Sequence, residues 1–211
     1  MRVNEIMRTL SVSTIRAAGV RRVMLRCGGR RRLALTATIY KFDIDLADAD
    51  RRVYEALALQ VARHPSESEA HLVARVLAYA LEFTDGIAFS RGLSEPEEPS
   101  IAVRDLTGVI RVWIEVGMPD AARLHKACKA APRVVVYTHK DPAQLVGRLA
   151  GERIHRAEAI ELYAIDRRLI AAVVARLDRR MEFALSVADR ELHLSLGTET
   201  LSGAVHRHLL A

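Results

Sequence analysis

The sequence predicts a single α/β domain whose strands form a mixed β-sheet, and three observations lead to this fold class. The chain has 211 residues, of which 50% are hydrophobic, and this is enough for one domain with a buried core. Segments that alternate between apolar and polar residues, as strands do, are interspersed with segments of helical periodicity. No apolar run approaches the roughly 18 residues that cross a bilayer, so we expect no membrane partner.

The first elements predicted along the chain are one strand and two helices. Residues 33–45 alternate between apolar and polar side chains, which indicates a strand. Apolar side chains that recur on one helical face predict a helix over residues 50–63. Ser66 and Glu69 form a capping-box pattern, which predicts a second helix that ends near residue 83.

The remaining pattern continues to mix strands and helices. In order, it predicts a short strand over 87–93, a β-hairpin over 97–117, a helix over 119–131, a buried strand over 133–139, a helix over 142–150, a strand over 158–164, a helix over 167–176 and a closing hairpin of 181–187 with 191–196. We expect the tail that follows, which contains His206 and His208, to be frayed and solvated. This order favours one domain over residues 33–211.

Positive charge is concentrated at the start of the chain. Residues 1–32 contain nine arginines and one acidic residue, a net charge of +8, whereas the rest holds 23 basic and 25 acidic residues, a net charge of −2. The body therefore lacks the basic footprint of a nucleic-acid-binding domain. Three interpretations of residues 1–32 are open: a disordered arm that binds nucleic acid, a transit-like segment, or translated upstream sequence outside the native protein.

The two cysteines, Cys27 and Cys128, are too few for a disulfide framework and show no metal-ligand spacing. A reducing compartment fits this usage best, so we expect a cytoplasmic protein. Cys128 lies on an apolar helix face, where packing is its expected role.

The hairpin over residues 97–117 brings acidic residues together at its open end. With a two-residue loop, paired positions place Glu98 directly across from Glu115, with Cβ atoms about 5 Å apart. Gly108 favours a rival register with a bulge, which places Pro99 opposite Glu115 and turns Glu97 toward it. We prefer the first register, because a one-residue slip mixes the apolar and polar faces. In either register Glu115 gains an acidic neighbour.

Two carboxylates this close repel each other unless a cation or a shared proton offsets the repulsion. Mg²⁺, or Mn²⁺ in its place, suits Glu98 and Glu115, because a hard cation is held by a few carboxylates, water and substrate phosphate. Such an ion generates a nucleophilic hydroxide and stabilises charge on a phosphate. The alternative is that Glu98 lies in a solvated acidic loop and Glu115 is a surface residue at a strand end.

Several motifs resemble the YaeQ family of bacterial proteins, and the resemblance covers about residues 33–196. The motifs that carry it are Arg63-His64-Pro65-Ser66-Glu67, Arg91-Gly92-Leu93, Glu98-Pro99, Asp105-Leu106-Thr107-Gly108, Trp113-Ile114-Glu115-Val116-Gly117 and Arg123-x-x-Lys126-Ala127. The resemblance implies a restriction-endonuclease-like fold, a variant of the PD-(D/E)XK nuclease core with flanking helices. In that fold a helix acid, a hairpin acid and a (D/E)-x-K strand surround one or two divalent metals.

The resemblance assigns roles to particular residues. Glu67 becomes the helix acid, Glu98 or the Ser100 position the hairpin acid, and Glu115 the strand acid. Two departures weaken catalysis. Ser100 stands where the superfamily has aspartate, and a hydroxyl cannot supply a carboxylate's charge. Gly117 stands where the catalytic lysine belongs, and that lysine normally offsets transition-state charge.

Two cations of the following helix are candidates to replace the missing lysine. The resemblance favours Lys126, whereas helical periodicity favours Arg123, which flanks the buried face. Either is otherwise an ordinary surface cation. Arg63, His64 and Arg123 are candidate phosphate contacts, although His64 also fits as a cap on the preceding helix.

Two hypotheses about function follow. The first is a Mg²⁺-dependent phosphodiesterase acting on nucleic acid, with Glu67, Glu98, Glu115 and Lys126 as its catalytic residues. The second is a non-catalytic descendant of the same fold that binds nucleic acid or protein. The acids favour the first hypothesis, and the missing lysine with the near-neutral body favours the second.

Overall fold

The computed structural model describes residues 37–90 and 98–210. The basic segment 1–32, the start of the first predicted strand, the Arg91-Gly92-Leu93 motif and Glu97 lie outside these residues. The described strands are β1 (Thr38–Asp48), β2 (Val53–Arg63), β3 (Ile87–Phe89), β4 (Ile101–Arg104), β5 (Ile110–Val116), β6 (Arg133–Thr138), β7 (Glu161–Ile165), β8 (Arg180–Ala188), β9 (Glu191–Leu196) and β10 (Glu199–His208). The described helices are α1 (Glu69–Leu81), α2 (Ala121–Ala130), α3 (Pro142–Leu149) and α4 (Arg167–Val174).

The strands form one mixed sheet, in agreement with the predicted fold class. Their order across the sheet is β2-β1-β8-β9-β10-β7-β6-β5-β4-β3. The neighbours β5 and β6, β6 and β7, and β1 and β8 run parallel, and the other pairs are antiparallel. The sheet therefore joins the N-terminal hairpin to the closing strands of the chain.

Two apolar cores lie on opposite faces of this sheet. On one face α1 packs against strands from both halves of the sheet, among them β1 through Phe42 and β5 through Ile114. On the other face α2 and α3 cover β5, β6 and β7, with Trp113 and Leu124 in the contact. Neighbouring side chains of β5 thus point to different helices, as the period of two requires.

Arg75 of α1 connects the two edge strands. Its guanidinium donates to the carbonyl of Ala62 in β2 at 2.8 Å and lies 5.5 Å from the ring centroid of Phe89 in β3. One helical residue therefore contacts both ends of the ten-stranded sheet, so the described sheet wraps around α1.

The helix predicted over residues 50–63 is wrong, because these residues form β2, paired antiparallel with β1. Leu57, Leu59 and Val61 are buried, while Ala58 and Gln60 between them are exposed. Apolar positions four residues apart fit both a helix and a strand, and long-range pairing with β1 decides between the two.

The predicted solvated tail is also wrong, because β10 pairs with both β9 and β7. His206 is exposed on this strand, whereas His208 is half-buried. The start of α1 differs from the prediction too. Ser68 is its N-cap and accepts a hydrogen bond from the backbone N–H of His71 at 3.2 Å, so Ser66 does not cap the helix. The other predicted elements are confirmed with shifted ends.

None of the described helices is long and apolar enough to span a lipid bilayer.

The turn between β1 and β2 holds the C-terminal end of α1 through Arg51. Its guanidinium donates to the carbonyls of Leu81 and Phe83, which are left without partners where the helix ends. We expect Arg51→Ala to lower the free energy of unfolding by about 1–2 kcal/mol in urea titrations. The neighbour Arg52 is the matched control, and Arg52→Ala should change stability by less than about 0.5 kcal/mol. Equal losses in both variants would contradict the capping role.

Candidate functional site

The β4–β5 hairpin has neither of the two predicted registers. Its observed pairs are Ile101 with Ile114, Ala102 with Trp113 and Val103 with Val112, followed by a bulge that pairs Arg104 with Ile110. This register differs by two residues from the preferred one, so the apolar and polar faces are conserved while every partner changes. Ser100 therefore lies beside Glu115, and the predicted pairing of Glu98 with Glu115 is wrong.

The turn of the hairpin explains this register. The Asp105 carboxylate accepts hydrogen bonds from the backbone N–H groups of Thr107 and Val109 and from the Thr107 hydroxyl, and Arg111 donates to it at 2.8 Å. The Thr107 hydroxyl and the other donors lower the pKa of Asp105 to about 2. These bonds stabilise a wider turn than the two-residue loop assumed from the sequence.

Glu115 is the centre of the hairpin site and is only 3% exposed. One of its carboxylate oxygens accepts from the Trp113 indole at 2.5 Å and from Arg123 Nε at 2.7 Å, and the other accepts from the Ser100 hydroxyl at 3.0 Å. Burial raises the pKa of Glu115, and the adjacent Arg123 opposes that shift. The carboxylate is thus held by donors on β5, on α2 and just before β4.

Arg123, and not Lys126, is the cation that donates to Glu115. Its side chain continues to the backbone carbonyl of Glu98, to which Nη2 donates at 2.7 Å. Glu98 therefore meets this centre through its main chain. Lys126 lies half-buried one turn further along α2, whose buried residues are Leu124, Ala127 and Cys128. The geometric preference for Arg123 matches the structure, and the role predicted for Lys126 remains a prediction.

Glu67 lies on the opposite face of the sheet from Glu115. It precedes α1, is 6% exposed, and accepts two hydrogen bonds from Arg75, at 3.1 Å and 3.0 Å. Burial raises the pKa of Glu67, and Arg75 opposes the shift. Glu115 faces α2 and Glu67 contacts α1, so the fold gives each acid its own arginine and does not gather Glu67, Glu98 and Glu115 into one cluster.

Gly117 follows β5 in a conformation that a lysine would adopt only with strain. Its φ is +99°, and an added Cβ would lie 3.3 Å from the imidazole of His71. The space beside this position is therefore occupied by a histidine of α1. His71 lies four residues after Glu67, which itself precedes the N-cap Ser68, and its Nε2 is 3.8 Å from the Glu67 carboxylate.

A cleft of about 430 Å³ opens beside Gly117, and we call it the α1 cleft. The residues that line it include Glu67, His71, Gly117, Met118, His139 and Lys140. The His71 and His139 rings meet edge to face, with centroids 5.7 Å apart. Burial, with the charges of Arg75 and Lys140, lowers the pKa of His71 to about 4. Burial also lowers the pKa of His139.

The two histidines are therefore neutral near pH 7, and the 3.8 Å contact between His71 and Glu67 is not an ion pair there. The motifs pointed to neither His71, His139 nor Lys140, because these residues meet only when β6 and α1 are brought together.

Arg63 and His64 organise the loop that leads to this cleft. Arg63 donates to the carbonyl of Glu67 at 2.9 Å and lies 3.4 Å from the Glu69 carboxylate. Nδ1 of His64 accepts from the backbone N–H of Ser66 at 3.2 Å, which places the proton of a neutral His64 ring on Nε2. The phosphate contacts predicted for both residues remain predictions.

Within residues 37–90 and 98–210, no group of three or more His, Cys, Asp or Glu side chains is arranged to hold a metal ion. The hydrogen bonds of the two buried carboxylates agree with the absence of a metal-binding group among these residues. Both oxygens of Glu67 accept hydrogen bonds from Arg75, and Glu115 accepts from Arg123 at one oxygen and from Ser100 at the other, so a cation at either carboxylate competes with an arginine already in place. The residues present do not fit the predicted Mg²⁺ or Mn²⁺ in this arrangement.

Comparison with known proteins agrees with the motifs described above. The model of the YaeQ protein family matches residues 33–205, so the chain belongs to the YaeQ family. It is 33% identical to the YaeQ protein of Escherichia coli (strain K12) over 164 residues, which cover 77% of this chain and 91% of that protein. The YaeQ protein of Salmonella typhi is 32% identical over the same length.

Two solved structures share this fold. The crystal structure of the YaeQ protein from Xanthomonas axonopodis pv. citri superposes with a TM-score of 0.75 at 30% identity, covering 82% of this chain and 99% of that one. The YaeQ protein from Pseudomonas syringae gives a TM-score of 0.73 at 26% identity, covering 81% and 95% respectively.

The neutral state of His71 makes the stability of the protein depend on pH. The unfolded chain takes up a proton at this residue below its ordinary pKa of 6.5, whereas the folded protein does so only near 4. Stability is therefore lost as pH falls from about 6.5 toward 4, by at most about 3 kcal/mol from this residue. We expect His71→Asn to remove that part of the loss in urea titrations across this range. His206→Asn is the control, because the His206 side chain is exposed on β10. Parallel stability curves for the wild type and His71→Asn would contradict the assignment.

Proposed function

We propose that this YaeQ-family chain is a non-catalytic nucleic-acid-binding protein built on a nuclease-like fold, in which Arg123 occupies the position of a divalent metal. The observation that carries the proposal is the 2.7 Å contact between Arg123 Nε and the buried Glu115 carboxylate. A guanidinium at this distance supplies the positive charge that a metal would bring, but it has no open coordination position for water or phosphate.

The order of the elements supports descent from a nuclease core. Glu67 precedes the helix α1, Ser100 precedes β4, Glu115 lies on β5 and Arg123 lies on α2. This is the order of helix acid, hairpin position and strand acid that the resemblance implies. The Ser100 hydroxyl lies 3.0 Å from Glu115, where the second carboxylate of an active nuclease is expected.

Three features argue against hydrolysis at this centre. Ser100 brings no charge, Gly117 brings no cation, and Glu67 is engaged by Arg75 on the other face of the sheet. A phosphodiesterase requires groups that activate water and offset charge on the phosphate. The described residues around Glu115 instead stabilise one another.

Nucleic acid is the partner favoured by the charge distribution. The nine arginines in residues 1–32 give this segment a net charge of +8, and such segments bind phosphate backbones with little sequence preference. The exposed Lys140 at the mouth of the α1 cleft adds a cation on the folded body. A protein partner is the competing outcome, and the binding assay distinguishes it.

Fluorescence anisotropy with labelled single- and double-stranded DNA and RNA tests this proposal. We expect binding that weakens steeply as salt is raised, because counterions are released from the phosphates. Substitution of Arg30, Arg31 and Arg32 by alanine should lower both the affinity and its salt dependence. Glu115→Gln should bind as the wild type does, and neither protein should cleave the oligonucleotides with Mg²⁺ or Mn²⁺. Absence of binding at low salt would refute the proposal.

The second candidate is the Mg²⁺-dependent phosphodiesterase, and one observation favours it: Arg123, which donates to the buried Glu115, is itself partly exposed. Calorimetric titration with Mg²⁺ and Mn²⁺ separates the candidates. If Arg123 replaces the metal, the wild type gives no binding heat at about 10 mM metal, and Arg123→Ala gains weak binding. The double variant Arg123→Ala/Glu115→Gln should lose that gain. Metal binding and cleavage by the wild type would establish the second candidate.

A further inference from the structure

The α1 cleft lies on the opposite face of the sheet from Glu115, and we propose that it binds a phosphate group. The cleft is formed where β5 and β6 end and α1 begins, with Gly117, His139 and Lys140 on the strand side and His71 on the helix side. The identification of this phosphate as part of a nucleic acid rests on the proposed function. The binding of a phosphate in the cleft does not depend on the proposed function.

The start of α1 supplies one part of the site. The helix has 13 residues, and its N-terminal turn carries N–H groups that no intrahelical carbonyl satisfies. These groups, with the aligned peptide dipoles, favour an anion at this end. Lys140 is exposed beside the cleft and supplies a full positive charge. Ser68 and His71 at the start of α1 line the same cleft as Lys140.

His139 provides an independent observation that points to a ligand in this cleft. Its side chain lines the cleft and is 8% exposed, and its Nδ1 is a buried polar atom without a hydrogen-bond partner among the described residues. Buried polar groups in native proteins almost always have partners, so such an atom marks either strain or an absent ligand. A phosphate oxygen can accept from an imidazole N–H after a small movement of the ring.

The local charge decides between an anion and a cation. Glu67 is the carboxylate that lines the cleft, and both of its oxygens accept from Arg75, at 3.1 Å and 3.0 Å. Burial lowers the pKa of His71 most, followed by His139, Arg75 and Lys140, so the two cations Arg75 and Lys140 both act at this imidazole. A second cation is therefore unfavourable here, whereas a phosphate is attracted.

The end of β5 approaches α1 closely at the side of the cleft. Gly117 lacks a side chain where an added Cβ would lie 3.3 Å from His71, so the strand end can approach the histidine closely. Any larger residue at this position would fill the space between β5 and α1. The glycine that replaces the expected lysine at position 117 therefore also allows the close approach of β5 to α1 on this face of the sheet.

Calorimetric titration of the full chain with inorganic phosphate tests the site, with NMR signals of the imidazole rings as a local readout. We expect phosphate to shift the ring signals of His71 and His139 and to leave those of His206 unchanged. Lys140→Ala should weaken phosphate binding about tenfold, because one charge-assisted contact is lost. Lys129→Ala, an exposed lysine in the last turn of α2, should bind as the wild type does.

Two outcomes overturn the inference: ring signals that do not respond to phosphate, or equal affinity in Lys140→Ala and wild type. His139→Leu should also abolish binding, and Lys140→Ala keeps the test decisive if that variant does not fold. Competition with a mononucleotide and with oligonucleotides that carry or lack a 5′-phosphate identifies the source. If inorganic phosphate binds and no oligonucleotide competes, the cleft takes free phosphate, and the nucleic-acid proposal is decided by the anisotropy assay alone.

Discussion

The buried ion pair between Arg75 and Glu67 is the interaction on which most of the described fold depends. Both residues are at most 6% exposed, so either charge left alone would retain the full cost of its desolvation. Arg75 also donates to Ala62 in β2 and lies over Phe89 in β3. The pair therefore holds the loop before α1 and both edge strands around one helix, and it sets the shape of the α1 cleft.

Internal compensation of buried charge recurs elsewhere in the structure. Glu115 is matched by Arg123 at 2.7 Å, and Arg133 bridges Glu82 and Glu161, with its nearest contact to each at 2.6 Å and 2.8 Å. A carboxylate that is already paired has little to offer a divalent metal. This constraint connects the fold to the proposed function, because a buried acidic centre becomes part of the core when an arginine of the same chain neutralises it.

The sequence predicted correctly those elements whose signals lie within the segment itself. The helices predicted over residues 119–131 and 167–176 are present as α2 and α4, and Asp120 and Asp166 are their N-caps. The segment 50–63 was mispredicted because spacings of four residues suit both helix and strand, and only pairing with β1 separates them. The hairpin register was mispredicted because a two-residue shift conserves the alternation of apolar and polar side chains. The hydrogen bonds of Asp105 select the observed register, and the pattern of apolar residues contains no information about them.

The sequence alone determined the mixed α/β class, the family motifs, and the absence of charge at Ser100 and Gly117, and it singled out Glu67 and Glu115 as acids to examine. The tertiary structure decided which groups meet. It placed the two acids on opposite faces of the sheet, selected Arg123 as the cation beside Glu115, and brought His139 to α1. The physical reason is that periodicity encodes the face on which a side chain lies, whereas its partner depends on contacts between elements far apart in the chain.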